Sequence, residues 1–138
     1  MKLLSLRSSF ARCGFAAFAV ALAVAPVAVR AALKPGAVAP PFTAEASLGG
    51  KEFSFDLAEA LAKGPVVLYF YPAAFTSGCT LEAHEFAEAM DTYRGLGATV
   101  IGVSGDDIAK LDKFSVSECR SKFPVASDGN HKISRAYD

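Results

Sequence analysis

Two apolar runs, Val66-Val67-Leu68-Tyr69-Phe70-Tyr71 and Thr99-Val100-Ile101-Gly102-Val103, flank a single amphipathic stretch of helical length. That arrangement leaves few folds open. A continuous apolar run of this length is the pattern of a strand buried on both faces. Between them, Thr76 to Arg94 reads as a helix, with Ala83, Phe86, Ala87 and Met90 at the i, i+3, i+4, i+7 spacing and Glu82, Glu85 and Asp91 on other faces. Gly95 and Gly97 supply its stop. Strand, helix and strand at this spacing form a βαβ unit with parallel strands and a right-handed crossover.

The flanking segments fit around that unit. Residues 34–41 are proline-rich and read as an extended lead-in, and Gly49-Gly50 predicts a hairpin around residues 42–55. Asp56 is placed to cap a short helix, Leu57 to Lys63, that Gly64-Pro65 ends. After the second buried run, Asp106 or Asp107 opens a helix with Ile108, Leu111 and Phe114 on one side. Pro124-Val125-Ala126 predicts another short strand, and Ile133 to Tyr137 another short helix. There is no internal repeat and no low-complexity tract beyond the N-terminal apolar run.

The charge balance divides the chain. Residues 1–31 hold four basic side chains (Lys2, Arg7, Arg12, Arg30) and no acidic one, with 17 uncharged, mostly apolar residues from Cys13 to Val29. A basic start, an apolar run and small residues at Val29-Arg30-Ala31 describe a secretory signal peptide cleaved before Ala32. An uncleaved membrane anchor is the alternative, since a run of this length sits at the lower edge of a span. Pro26 and the alanine-rich composition favour cleavage. The expected organisation is therefore a signal peptide over 1–31 and one domain over 32–138, exported, with the bacterial periplasm as the expected compartment. No stable membrane association is expected after cleavage.

Without the first 31 residues the chain has ten basic and fourteen acidic side chains and two cysteines, Cys79 and Cys119. A mildly acidic surface argues against nucleic-acid binding, since no basic excess exists to neutralise phosphates. A 52% hydrophobic composition excludes disorder. Two cysteines in an exported chain make thiol chemistry the question to ask.

Cys79 lies where that chemistry is expected. The loop Pro72-Ala73-Ala74-Phe75-Thr76-Ser77-Gly78 leaves the carboxyl end of a buried strand and enters a helix, the place where open α/β sheets bind ligands. With Thr76 as N-cap, Cys79 falls in the first helical turn, where unpaired N–H groups and the helix dipole favour an anion. A thiol there is expected to ionise more readily than a free one. Pro72 fixes the turn after the strand and Gly78 allows close approach of a small substrate. From position alone, Cys79 reads equally as a nucleophile or as a small buried hydrophobe.

Pro72, then Thr76 four residues on, then Cys79 three further, after an apolar strand, resembles the active-site motif of the peroxiredoxins, of the alkyl hydroperoxide reductase and thiol-specific antioxidant type. Val67-Leu68-Tyr69-Phe70-Tyr71 and Thr80-Leu81-Glu82-Ala83 are similar to the bacterioferritin-comigratory, or Q-type, branch. The resemblance runs from about residue 33 to the end. It implies an α/β thioredoxin-like fold, a central mixed sheet flanked by helices. It also implies reduction of hydrogen peroxide or organic hydroperoxides, with Cys79 as the peroxidatic cysteine and Thr76 as its hydrogen-bonding partner. Glu82 is similar to a family glutamate that orients a catalytic arginine; a solvated helix carboxylate is the other reading. The implied partners are a peroxide and a thioredoxin-like or small-thiol reductant, with no cofactor, and the chain is expected to be a monomer or weak dimer.

The pattern departs from the family in two places. Many members of this branch carry a resolving cysteine five residues after the peroxidatic one, where this chain has His84. Cys119 is then the candidate resolving residue, as in some Q-type relatives. Ser115, Val116 and Ser117 are indifferent helix formers, so the helix end before Cys119 is expected to unravel cheaply. A structural Cys79–Cys119 disulfide or a buried free thiol are the alternatives. The second departure is at the end: family members continue past the position of Tyr137 with further strands, a last helix and the catalytic arginine. Those C-terminal elements are expected to be missing here, with weak or no peroxidase activity for the 138-residue chain.

Other functions are less well supported. A thioredoxin-type exchanger would close a Cys-x-x-Cys at position 82, which is Glu82. His84 and His131 read as surface or half-buried histidines, because no ligand spacing around them suits zinc. A non-catalytic exported domain or inactive fragment is the remaining alternative.

Overall fold

The computed structural model describes residues 32–137, so the expected signal peptide at 1–31 lies outside the described residues. Within them the chain forms a five-stranded mixed sheet in the order β2-β1-β5-β4-β3. β1 (Thr43–Leu48) and β2 (Lys51–Asp56) make the expected hairpin, joined by Gly49 and Gly50 at φ 59° and 75°. Positive φ at both turn residues is what a two-residue hairpin loop demands and what glycine supplies. Asp56 then caps α1 (Leu57–Leu61), accepting from the Glu59 N–H at 3.0 Å.

β3 (Val66–Phe70), α2 (Ser77–Gly95) and β4 (Thr99–Ser104) are the βαβ unit, with β3 and β4 parallel in the register Val66 to Thr99 through Phe70 to Val103. α3 (Ile108–Ser117) follows, then β5 (Val125–Ser127), parallel to β4 and antiparallel to β1, and α4 (Ser134–Tyr137). Asp107, not Asp106, caps α3, accepting from the Lys110 N–H at 2.9 Å.

Alternation along the strands builds two apolar clusters on opposite faces of the sheet. Val100 and Val125 join Ala83, Ala87, Met90, Leu111, Phe114 and Phe123 beneath α2 and α3. Ile101, Val103 and Ala126 face the other way, against Phe55, Leu57 and Ala60. β4 is buried on both faces, as its sequence predicts.

β3 is not. All its residues are half-buried or exposed, and Phe70 is 38% exposed. Among the described residues β3 pairs with β4 alone, at the edge of the described sheet, and Phe70 meets the Tyr137 ring at 5.4 Å. An apolar run records which side chains avoid water but not how many neighbours the strand has. On the helix side the packing is tight: the Tyr69 ring lies across Gly102, where a Cβ would stand 2.7 Å from it, and stacks on Phe86 at 4.4 Å. No described helix is long and apolar enough to cross a membrane.

Candidate active site

The loop that carries Pro72 starts where β3 lets go of β4. The Tyr71 N–H still donates to the Val103 carbonyl at 3.0 Å, and Pro72 then removes the next donor. The turn that follows is held by Asp106, a residue that in sequence offers itself only as a helix opener. Because Asp107 takes the capping position, the Asp106 carboxylate is free to reach across to the loop. It accepts from the Ala74 N–H at 2.6 Å, the Ser104 hydroxyl at 2.9 Å and Lys110 Nζ at 2.6 Å. Burial opposes its charge, but these donors together hold the carboxyl below the usual carboxylate range.

Phe75 comes next, at φ 66°. A bulky residue in the left-handed region is strained by about 1–3 kcal/mol. Its ring is 46% exposed yet packs edge-on against Phe114 at 5.2 Å. The Ala74–Asp106 bond and the Phe75–Phe114 contact, one on each side of the peptide, hold this turn. Neither partner was visible from the motif, since both lie more than thirty residues downstream in the chain.

Thr76 stands at the N-cap of α2 as expected, with extended φ and ψ of −77° and 151°. Its hydroxyl does not cap: it donates back to the Ala73 carbonyl at 3.1 Å, while its own carbonyl accepts from the Thr80 N–H at 2.9 Å. Cys79 is the third residue of α2 and 8% exposed, beneath a loop whose Pro72, Phe75, Thr76, Ser77 and Gly78 are exposed. Thr76 and Cys79 thus stand at one helix start, with Pro72 in the loop that leads into it. Glu82 lies one turn further along α2 on its exposed side, with no ion pair among the described residues. Pro72 also lines a cleft of about 250 Å³ with Ser104, Asp128 and His131, whose wall Cys79 does not reach.

Cys119 sits in the same apolar cluster as Cys79, and both are free thiols. It follows Glu118, the C-cap of α3, and is fully buried, its N–H donating to the Phe114 carbonyl at 3.1 Å. Burial, and after it the charge of Glu118, pushes the thiol up to about 12. The phenols of Tyr69 and Tyr71 lie within electrostatic reach of both cysteines; burial first, and those sulfurs among the lesser causes, raise both above the ordinary tyrosine value. Among the described residues neither phenol oxygen has a hydrogen-bond partner; Ser104, beside Tyr71, donates its hydroxyl to Asp106.

The helix end before Cys119 is not the weak element its composition suggests. The Ser115 hydroxyl is fully buried and meets Ser47 Oγ at 3.1 Å, accepts from the Gly50 N–H at 2.9 Å and donates to the Asp112 carbonyl at 2.8 Å. These bonds tie α3 to the β1–β2 hairpin. Propensity describes Ser115 in an isolated helix, whereas here the hydroxyl is a tertiary anchor. His84 is half-buried against Glu118, and His131 is exposed at φ 54°. Among the described residues no three His, Cys, Asp or Glu side chains gather as a metal site would require.

Known proteins share this arrangement. The AhpC/TSA family model matches residues 35–138. The chloroplastic peroxiredoxin Q of Triticum aestivum is 38% identical over 133 residues, covering 90% of this chain and 59% of the relative. The putative peroxiredoxin YkuU of Bacillus subtilis is 37% identical over 110 residues, covering 74% and 61%. Among solved structures, the peroxidoxin BcpB of Mycobacterium tuberculosis superposes with a TM-score of 0.67 at 31% identity, over 74% of this chain and 64% of that one. Peroxiredoxin Q of Xanthomonas campestris gives 0.59 at 34% identity, over 68% and 58%. The chain thus spans about three-fifths of the length of these relatives. A mixed sheet with this strand order, a motif cysteine in the first turn of α2 and these likenesses, several of them to peroxiredoxin Q proteins, have one reading: the chain belongs to the AhpC/TSA family, with the thioredoxin-like peroxiredoxin fold.

Proposed function

We propose that this chain is a thiol peroxidase that reduces hydrogen peroxide or organic hydroperoxides through Cys79. The observation that carries the reading is the placement of Cys79 in the first turn of α2, under an exposed loop with Thr76 at the N-cap. The unpaired N–H groups and the dipole of a first helical turn present positive potential to negative charge that develops there. The thiolate sulfur attacks the near peroxide oxygen and the O–O bond breaks. Cys79 becomes a sulfenic acid, and the leaving oxygen departs as water or an alcohol after taking a proton. Charge moves onto that oxygen as the bond breaks, and the Thr76 hydroxyl, once turned from Ala73, and the Cys79 N–H are the donors within the loop to meet it.

In the second step the Cys119 sulfur attacks the Cys79 sulfenic sulfur, a disulfide forms and water leaves. A thioredoxin-like dithiol or a small thiol then reduces the disulfide and is itself oxidised. The same proposal places the chain outside the cytoplasm, on the character of residues 1–31, as a monomer or weak dimer. A structural Cys79–Cys119 disulfide in a non-catalytic domain finds no support in two free thiols.

The test uses the 138-residue chain, one equivalent of hydrogen peroxide and mass spectrometry of alkylated, non-reduced peptides. The parent is expected to consume the single equivalent slowly, in keeping with the weak activity expected of the 138-residue chain, and to form a Cys79–Cys119 disulfide. Cys79→Ser should lose consumption, and Cys119→Ser should consume the equivalent but stop at a dimedone-reactive sulfenic acid. Consumption by Cys79→Ser at the parent rate would sink the reading.

A further inference from the structure

Three contacts stitch the segment around Cys119 to the helix that carries Cys79. His84 Nε2 meets Glu118 Oε2 at 2.8 Å, Glu88 Oε1 accepts from Arg120 Nη1 at 3.3 Å, and Arg94 Nη2 donates to the Lys122 carbonyl at 2.7 Å. On α2 the first two donors and acceptors are four residues apart, hence on one face. On the other side the partners alternate, 118, 120 and 122, with the fully buried Cys119 between the first two. The side chains on either side of the cysteine are thus held by α2 while the cysteine itself is turned into the core. The turn they hold is strained, with Arg120 at φ 51° and Ser121 at φ 53°. A segment in a left-handed turn needs surrounding contacts to stay there.

We infer that the strap formed by His84–Glu118, Glu88–Arg120 and Arg94–Lys122 sets the rate at which Cys119 leaves the core, and through it the rate of disulfide closure with Cys79. This rests on the assignment of Cys119 as resolving residue. The strap residues are positioning residues: none touches the peroxide, and none is needed for the first oxidation. Their effect falls on what happens to the sulfenic acid afterwards. While Cys119 is held, a second peroxide can oxidise Cys79 from sulfenic to sulfinic acid, with the peroxide reduced to water or alcohol. A faster release diverts the sulfenic acid into the disulfide instead. Leaving the core also brings the Cys119 thiol back toward an ordinary, more readily ionised state, so release and activation are one event.

The strap is built from partly exposed pairs, whose strength is modest and salt-sensitive. That is the range a gate requires, since a deeply buried pair would lock the segment. Removal of two pairs is expected to speed opening about three- to tenfold.

Two readouts separate the strap from the reading it rests on. In a Cys79→Ser background, labelling of Cys119 by a maleimide reports opening without any peroxidase chemistry. His84→Ala with Arg120→Ala should label about three- to tenfold faster than the background chain, while Arg120→Lys with His84 retained should label near the background rate. In the full chain, with Cys79 and Cys119 both present, the double variant should close the Cys79–Cys119 disulfide faster by a similar factor after one equivalent of peroxide. It should also accumulate less sulfinic acid under excess peroxide, with the first peroxide consumed at the parent rate. Should the double variant be poorly folded, 1 M sodium chloride on the unmutated strap serves instead and should also speed labelling. Labelling unchanged by both mutation and salt would overturn the strap. Faster labelling with no disulfide in any chain would leave the strap standing and remove Cys119 from the resolving role.

Discussion

Cys79 and Cys119 share one apolar cluster, but the backbone around them is organised for opposite purposes. Cys79 lies in the first turn of a 19-residue helix under an exposed loop, and the contacts near it, Ala74 to Asp106 and Phe75 to Phe114, hold the loop rather than the cysteine. Cys119 follows the C-cap of a ten-residue helix, has no exposed surface, and is held by the residues on both sides of it. Both sites contain left-handed residues, Phe75 at one and Arg120 and Ser121 at the other. At the first the strain shapes a surface that a small molecule can reach. At the second it shapes a turn that keeps a thiol away from everything. A thiol's availability is set by where chain termini of helices point and by which neighbours pin them, more than by which cysteine it is.

The largest break in this comparison is expected at Asp106. Replacing it by alanine leaves the Ala74 N–H and the Lys110 ammonium without their acceptor, in a site where the Asp106 side chain is 11% exposed. Loss of one partner from such a network costs about 3 kcal/mol. Urea melts should show that loss in Asp106→Ala, with Asp106→Asn intermediate. The loop side should also respond chemically: Cys79 alkylation should change rate while Cys119 labelling below the unfolding transition should not. The acid dependence follows from the depressed carboxyl. Its stabilisation is present above the ordinary aspartate pKa and is lost as pH falls through its lower folded value.

This site also shows how much of the molecule could be read from its sequence. The hairpin at Gly49-Gly50, the Asp56 cap, the βαβ unit and the placement of Pro72 before, and Thr76 and Cys79 at, one helix start all follow from local pattern, because turns, caps and periodicity are local physics. The residues that hold the site are not local. Asp106 beside Asp107 reads as one of two caps, and only the fold decides which carboxylate is free for Ala74. Ser115 reads as a poor helix former, and only the hairpin packed against it makes it an anchor. That β3 is the strand at the edge does not show in its sequence for the same reason, since an apolar run looks alike with one neighbouring strand or two.

The Cys119 side is expected to yield to alkali. A thiol whose folded pKa is near 12 keeps its proton in the native state above the point, about 8.5, where an unfolded thiol loses it. The unfolded state then binds fewer protons, so stability is intact below that pH and falls as pH rises, by about 1.4 kcal/mol per unit until the folded thiol titrates. Urea melts between pH 8.5 and 10 should lose about 2 kcal/mol, and Cys119→Ala should flatten that slope. An equal slope in Cys119→Ala would assign it elsewhere. Tyr69 and Tyr71, also raised, add to the loss only above the ordinary tyrosine range near pH 10.

Ser115→Ala is a smaller break on the same side. It removes the acceptor for the Gly50 N–H and the partner of the buried Ser47 hydroxyl, for about 1–2 kcal/mol. Because the bonds anchor the end of α3, Cys119 labelling should quicken while Cys79 reacts as before. A change confined to Cys79 would invert the comparison.

The smallest expected effect has the opposite sign. Ser121 is exposed at φ 53°, where a Cβ crowds the backbone by about 1–2 kcal/mol and glycine does not. The unfolded glycine chain is freer by about 0.5–1 kcal/mol, which offsets part of the relief. The Ser121 N–H donates to the Ser115 carbonyl at 2.9 Å, a backbone bond that survives the change. Its side chain lies beside the hairpin turn: a Cβ at Gly49 would lie 3.2 Å from Ser121 Cβ and Oγ. Ser121→Gly should therefore stabilise by about 0.5 kcal/mol, a rise of about 2–4 °C in Tm for a domain of this size. The same substitution at Phe75 should not stabilise, because glycine there also removes the Phe114 ring contact, worth about 0.5–1.5 kcal/mol beyond its buried area. Calorimetry of the two variants side by side decides whether strain at the Cys119 turn is relieved by glycine while strain at the Cys79 loop is held by packing. Equal shifts would mean the two turns are held in the same way.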